Sequence, residues 1–116
     1  MSKDRMNVNF VETTIALADT TMQGFIDDFY ASNDVSYTPA SMEIQATIAF
    51  KVKDGSNVEK TLGFSLQWFE SASVINTRLK NIWAAFTAGL TAMEAASSFT
   101  TVMTVSVSAM LEITYS

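Results

Sequence analysis

Carboxylates are the side chains of this sequence best suited to chemistry, because the chain contains no histidine and no cysteine. The missing histidine removes the commonest general base, and the missing cysteine removes thiol chemistry and disulfides. Asp27 and Asp28 are adjacent, so on a helix their side chains would point about 100° apart. Glu59, Glu70 and Glu94 are isolated in the sequence. We therefore predict surface roles for these carboxylates, no catalytic residues and no enzymatic activity.

Metal and phosphate sites have no matching pattern in this sequence. Without histidine or cysteine, only a carboxylate site for a hard cation is open. The segment Asp54–Asn57, with the sequence Asp-Gly-Ser-Asn, is too short for a calcium loop and is typical of a hairpin turn. The four glycines are too far apart for a phosphate-binding loop. We expect no bound metal and no cofactor.

The charge balance argues against two classes of partner. Twelve acidic residues face seven basic ones, for a formal net charge of −5. Nucleic acids and anionic membrane surfaces are bound largely through lysine and arginine, so we expect neither partner. Charged residues make up only 16% of the chain, against roughly 25% in typical domains. A surface rich in Ser, Thr, Asn and Ala costs little to desolvate, which favours contact with other protein chains.

The length of 116 residues predicts a single domain over residues 1–116. The N-terminal segment lacks the apolar run of a signal peptide, and no stretch approaches the 18 or so apolar residues of a transmembrane helix. From these absences we expect a cytoplasmic or virion-associated protein.

Hydrophobic periodicity predicts six elements in the order strand, helix, strand, strand, helix, strand. The first strand has a one-residue slip in its alternation, which indicates a bulge or a bend. Asp19 is the predicted N-cap of the first helix, and Ser71 or Ser73 that of the second. The predicted ranges are 6–18, 20–31, 41–53, 58–68, 72–96 and 99–115.

This order of elements predicts an α+β fold of the ferredoxin-like type, an antiparallel sheet with two helices on one face. Its spatial strand order is 4-1-3-2, which makes the second and fourth strands the edges. The alternative is a twisted antiparallel sheet or sandwich with one long helix, in which residues 19–31 are partly loop. The predicted core contains Met42, Ile44, Ile48, Phe50, Leu62, Phe64, Leu66, Ile75, Leu79, Ile82, Phe86 and Met93.

The last strand is the most unusual segment of the sequence. Its seventeen residues, 99–115, alternate cleanly and carry one charge, Glu112. They would span roughly 55 Å, about three times a typical strand and more than a compact domain of this size can readily pair within itself. If this strand is an edge, another subunit must cover it, and if it is central, its neighbours do so. We predict a homo-oligomer whose interface contains Val105, Ser106, Val107, Ser108 and Glu112.

The fourth element resembles the aromatic signature strand of RNA-recognition motif domains, which share the predicted order of elements. Gly63, Phe64, Ser65 and Phe69 fit that signature. Leu62, however, stands where the signature has a basic residue, and a leucine replaces a stacking aromatic two residues after Phe64. The acidic balance also opposes phosphate binding, so we predict core roles for Phe64 and Trp68 and no nucleic-acid binding.

Two function classes fit these observations. The first is a non-enzymatic structural subunit that self-associates into a ring, tube, filament or shell, and the composition would suit a virion or tail component. The second is a small-molecule-binding or cofactor-free enzyme domain of the dimeric α+β barrel type. Its pocket walls would be Trp68, Trp83, Phe86 and Met93. We favour the first, because the convergent polar groups that orient a ligand are missing from the sequence pattern.

Overall fold

Six regular elements follow one another in the computed structural model, which describes residues 3–33, 36–71 and 75–116. The four strands form one antiparallel sheet and two helices pack on it, so the fold is α+β. Ser73, one of the two predicted caps of the second helix, lies outside the described residues. The elements are β1 (Lys3–Glu12), α1 (Ile15–Ala31), β2 (Pro39–Lys53), β3 (Glu59–Glu70), α2 (Ile75–Ala96) and β4 (Thr101–Tyr115).

The strand order in the sheet is β1-β4-β2-β3, so the predicted ferredoxin-like order 4-1-3-2 is wrong. The last strand, β4, is central: it pairs with β1 on one side and with β2 on the other. The edges are β1 and β3. The distribution of charge accounts for this arrangement, because β1 has four charged residues among ten, whereas β4 has one among fifteen. Charged strands tolerate an edge and uncharged strands gain from pairing on both sides.

The length of β4 is matched by the length of the whole domain. The molecule measures 56 × 21 × 18 Å, and its radius of gyration is 15.8 Å. A compact domain of this size would have a radius near 13 Å. Because the strands run along the long axis, β2 pairs with β4 from Thr101 to Tyr115. The premise that β4 outruns its own domain is therefore wrong, since its backbone finds partners within the chain.

The first helix starts earlier than the sequence pattern predicts. Thr14 is its N-cap, and the Thr14 Oγ1 accepts a hydrogen bond of 3.1 Å from the Leu17 N–H. The predicted cap, Asp19, lies inside the helix. The buried face of α1 consists of Ile15, Ala18, Met22, Ile26 and Phe29. The alternation that extended the predicted first strand to residue 18 therefore coincides with the first turn of a helix.

The predicted core is confirmed in β2 and at the start of α2, but α2 is rotated further along. Its buried residues are Ile75, Leu79, Trp83, Thr87 and Leu90, which recur every three or four positions. Three predicted core residues of this helix lie at the margin: Ile82 and Phe86 are half-buried, and Met93 is 49% exposed. The three apolar β3 residues assigned to the core are also only half-buried.

The hairpin between β2 and β3 is confirmed as a turn. The Asp54 Oδ1 accepts hydrogen bonds from the backbone N–H groups of Ser56 and Val58, at 2.8 and 3.0 Å. Asn57 adopts a φ of 64°, in the left-handed region that asparagine tolerates better than most residues. This local chemistry sets the register in which β3 returns along β2.

Both helices cover one face of the sheet, and the opposite face, here called the open face, has no layer on it among the described residues. Along β4 the odd-numbered residues from Val105 to Tyr115 are buried beneath the helices. The even-numbered residues from Ser106 to Thr114 lie on the open face. Neither described helix combines the length and the apolar character needed to cross a membrane.

Candidate functional site

The carboxylates singled out in the sequence are spread over α1, β3 and α2, and three of them form ion pairs: Asp27, Glu59 and Glu70, the second with Lys51 of β2 at 3.4 Å. The Asp27 Oδ2 lies 2.7 Å from the Lys80 Nζ, which joins α1 to α2. Glu70, at the end of β3, lies 3.8 Å from an Arg78 nitrogen. Among the residues that the structure describes, no three His, Cys, Asp or Glu side chains form a group that could hold a metal ion. The three paired carboxylates therefore contribute to contacts between elements.

The two edges of the sheet differ sharply in charge. On β3 the charged residues are confined to the ends, at Glu59, Lys60 and Glu70. The nine residues between them, Thr61–Phe69, carry no charge. One long side of this strand faces no other strand of the described chain, so its backbone groups on that side lack a sheet partner. Long uncharged edges of this kind are templates for pairing with another chain.

An apolar row runs along the helix side of β3 and is only partly covered by α2. Leu62, Phe64 and Leu66 are half-buried, and Trp68 is 42% exposed. The matching residues of the neighbouring strand β2, by contrast, are almost completely buried. We call this set the edge row: Leu62, Phe64, Leu66 and Trp68. Its uncovered apolar surface lies beside the unpaired backbone of β3, so one partner could cover both.

A small cavity lies between α2, β2 and β3, near the C-terminal end of α2. Its volume is about 80 Å³, well below the roughly 300–1,000 Å³ of typical ligand pockets. Of the four predicted pocket residues only Met93 lines it. Trp83 is completely buried in the core with Phe86 packed against it, at 5.7 Å between ring centroids, while Trp68 lies in the edge row. The remaining lining residues are Phe50, Val52, Leu62, Phe64, Leu90, Glu94, Phe99 and Val102.

The open face contains a broad polar trough of about 560 Å³. Its lining carries no charge and consists of amide and hydroxyl residues together with four apolar ones, Ala46, Leu66, Ala109 and Met110. No aromatic side chain lines it. The trough could donate and accept hydrogen bonds but could not neutralise an ionic ligand. Its polar residues are Asn7, Asn9, Gln45, Thr47, Ser65, Gln67 and Ser108.

A charged cluster on the open face ties β1 to β4. Glu112 is only 8% exposed, and its Oε2 accepts hydrogen bonds from Arg5 Nη2 at 2.7 Å and Arg5 Nε at 3.1 Å. Lys3 Nζ lies 3.5 Å from the other carboxylate oxygen. The hydrogen bonds from Arg5, together with the positive charges of Arg5 and Lys3, hold the pKa of Glu112 below its ordinary value, against the opposing effect of desolvation.

We expect the contribution of Glu112 to stability to depend on pH. A carboxylate whose pKa is lowered by folding stabilises the protein above its unfolded pKa, and this contribution is lost as the pH falls through the folded pKa. At pH 7 Glu112→Gln should lower the free energy of unfolding by about 1 kcal/mol. The loss is this small because the Arg5 side chain is largely exposed, so water screens the ion pair. Urea denaturation at pH 7 and pH 3 should show the gap to the parent closing at low pH.

The control for this measurement is Glu94→Gln, which removes a carboxylate that has no ion pair within the described residues. It should leave the pH dependence of unfolding as it is in the parent. An equal destabilisation by Glu112→Gln at both pH values would show that the ion pair with Arg5 does not stabilise the fold.

The structure does not place the predicted oligomer interface at an edge. Val105 and Val107 are buried beneath the helices, so their side chains face away from any partner. Ser106 and Ser108 lie on the open face, and Glu112 is held in its ion pairs with β1. The open edge is on β3, which the sequence pattern had made an interior strand. The sequence contains no clear signal for this edge, because the middle of β3 is as free of charge as the central strand β4.

Comparison of the chain with models of known protein families finds no matching family, and comparison with curated proteins finds no significant match.

Proposed function

We propose that this protein is a non-enzymatic structural subunit that self-associates through the β3 edge. The observation that carries this proposal is the uncharged stretch Thr61–Phe69, which lies at an edge of the sheet with the partly exposed edge row beside it. Natural edges are usually protected by charge, proline, bulges or short length. The twelve residues of β3 have charge at the ends and none of these devices in the middle.

The energetics favour a partner strand over solvent at this edge. A second strand satisfies the outward backbone groups of β3 and removes the edge row from water, which contributes about 25 cal/mol for each Å² of apolar area buried. The weakly charged surface of the chain adds little desolvation cost. Repetition of this contact together with a second one, for which the open face is available, would extend the assembly into a ring, tube, filament or shell.

The test is the molar mass in solution as a function of concentration. Light scattering of the parent protein should give a mass above 12.7 kDa in the micromolar range, and imaging should show any larger species. Trp68→Lys should lower the mass, because a lysine on an edge strand opposes strand pairing. Its matched control is Leu17→Lys, which places the same charge on α1 at a residue of similar exposure, 47% against 42%.

A parent protein that stays at the monomer mass up to high micromolar concentration would contradict the proposal. An equal loss of mass in Trp68→Lys and Leu17→Lys would place the contact elsewhere. Circular dichroism of both variants shows whether each still folds, which separates a loss of assembly from a loss of structure.

A second candidate function is binding of a small uncharged polar molecule in the trough of the open face. The observation that favours it is the trough volume of about 560 Å³, which lies within the usual range for ligand sites. Because the lining is polar, the ligand would differ from one held by the apolar pocket walls Trp68, Trp83, Phe86 and Met93 that the sequence pattern offered. NMR titration with neutral sugars and polyols would test it, since binding should shift the amide resonances of Asn7, Asn9 and Gln45.

A further inference from the structure

We propose that two copies of this chain pair their β3 strands antiparallel about a two-fold axis at Ser65, so that one sheet of eight strands runs through the dimer. This inference rests on the proposed function, because it specifies the partner and the register of the β3 contact. An antiparallel pair of identical strands is self-complementary, which is what a two-fold interface requires. The helices of both copies then lie on the same face of the joint sheet.

The apolar pattern of β3 matches itself in this register. Directly opposed residues of an antiparallel pair point to the same face, so the edge row of one copy must meet the edge row of the other. Leu62 lies opposite the partner's Trp68, and Phe64 lies opposite the partner's Leu66. On the open face Ser65 meets the partner's Ser65. Each apolar side chain of the row therefore gains an apolar neighbour that it lacks within its own chain.

The charges at the ends of β3 select this register over its neighbours. Lys60 is exposed and makes no ion pair among the described residues, and here it lies opposite the partner's Glu70. Glu70 already accepts a hydrogen bond of 2.9 Å from the Trp68 Nε1, which restrains its carboxylate. A shift of two residues in one direction would place Lys60 opposite the partner's Trp68. The opposite shift would place Glu70 opposite the partner's Leu62.

The absence of native cysteine allows a direct test with engineered thiols. In Ser65→Cys the two thiols would stand on opposed residues whose Cβ atoms lie about 4.5–5.5 Å apart. A disulfide needs about 3.5–4.5 Å, so small adjustments suffice. Mild oxidation of the full chain should therefore yield a disulfide-linked dimer on a non-reducing gel, with the native circular dichroism spectrum retained.

Thr61→Cys is the matched control, because Thr61 is exposed on the same strand and the same face. In the proposed register it lies about 26 Å from its counterpart in the partner, eight residues further along the strand. Ser65→Cys should therefore cross-link at least ~10-fold faster, since only its thiols are held at high effective concentration. A mixture of Thr61→Cys and Phe69→Cys should form the mixed dimer, because these two positions oppose each other.

The outcomes separate this inference from the proposed function. The register is wrong if Ser65→Cys cross-links no faster than Thr61→Cys and the mixture of Thr61→Cys and Phe69→Cys forms no mixed dimer. The proposed self-association still stands in that case, provided that light scattering of the parent protein shows it. If Ser108→Cys, at the centre of the open face, cross-links faster than Ser65→Cys, the sheets pack face to face and the register is overturned. A strictly monomeric parent overturns both the register and the proposed function.

Discussion

Val107→Asp should abolish folding or lower the free energy of unfolding by at least about 3 kcal/mol. Val107 is 3% exposed on the central strand β4, beneath the helices. Its opposed residues are Phe10 on β1 and Ile48 on β2, so the environment is apolar on both sides. A carboxylate placed there would be buried without a hydrogen-bond donor or a counter-charge, one of the changes that destabilise proteins most. Urea denaturation followed by circular dichroism would measure the loss.

Ser108→Asp is the control, since the next residue of the same strand is exposed on the open face. Its opposed residues are Asn9 and Thr47, which are also polar and exposed. The same charge should change the free energy of unfolding there by less than about 0.5 kcal/mol. Comparable losses in the two variants would show that β4 is not covered on one face only, and the assignment of the open face would fail.

The alternation of buried and exposed residues in β2 and β4 could be predicted from the sequence. Successive side chains of a strand point to opposite faces, so a strand covered on one face alternates apolar and polar residues. In β2 the even-numbered residues from Met42 to Val52 are buried, as the pattern predicted. The Asp54–Asn57 turn could be predicted for a similar reason, since its hydrogen bonds join residues only two to four positions apart. Both features depend on residues close together in the chain, so a short stretch of sequence is enough to predict them.

The strand order could not be predicted in the same way, because it depends on which strands compete for the centre of the sheet. A ferredoxin-like arrangement and the observed one share the same order of elements along the chain. They differ in the pairing of distant segments, such as β1 with β4, whose opposed residues Lys3 and Thr114 lie at the two ends of the chain. The charge content of each strand distinguishes them, since the strand with fewest charges became central.

The sequence pattern predicted the wrong place for the subunit interface because it predicted the wrong strand order. The uncharged character of β4 was interpreted as a covered edge between subunits, whereas within the chain β1 and β2 already cover it. The apolar alternation of β3 was interpreted as core, but β3 has a neighbouring strand on one side only. Alternation reports that one face is apolar, and it contains no information on how completely a helix covers that face. Trp68 shows the difference, with 42% of its surface exposed.

The rotation of α2 has a comparable cause. The sequence contains two overlapping apolar stripes on this helix, one through Ile82 and Phe86 and another through Trp83 and Leu90. Both begin at Ile75 and Leu79, which are completely buried. The helix turns the second stripe inward because it packs against α1 as well as the sheet. Contact with a second helix widens the buried face beyond a single row.

Trp83→Ala should be among the most destabilising truncations in the chain, with a loss of about 3–5 kcal/mol in the free energy of unfolding. Trp83 is completely buried, and its removal leaves a large void between α2 and the sheet. Phe86→Ala is the matched comparison one turn along, on the half-buried side of the helix. It should cost less, about 1–2 kcal/mol, because part of the ring already contacts water.

A third variant separates packing from hydrogen bonding at Trp83. The indole Nε1 is buried and has no hydrogen-bond partner among the described residues, so its N–H is desolvated without compensation. Trp83→Phe removes this donor and keeps an aromatic ring in the core, so it should cost clearly less than Trp83→Ala. Equal losses in the phenylalanine and alanine variants would show that the N–H is satisfied in solution. A Phe86→Ala loss equal to that of Trp83→Ala would show that α2 buries the Ile82 and Phe86 stripe instead, as the spacing of the sequence first indicated.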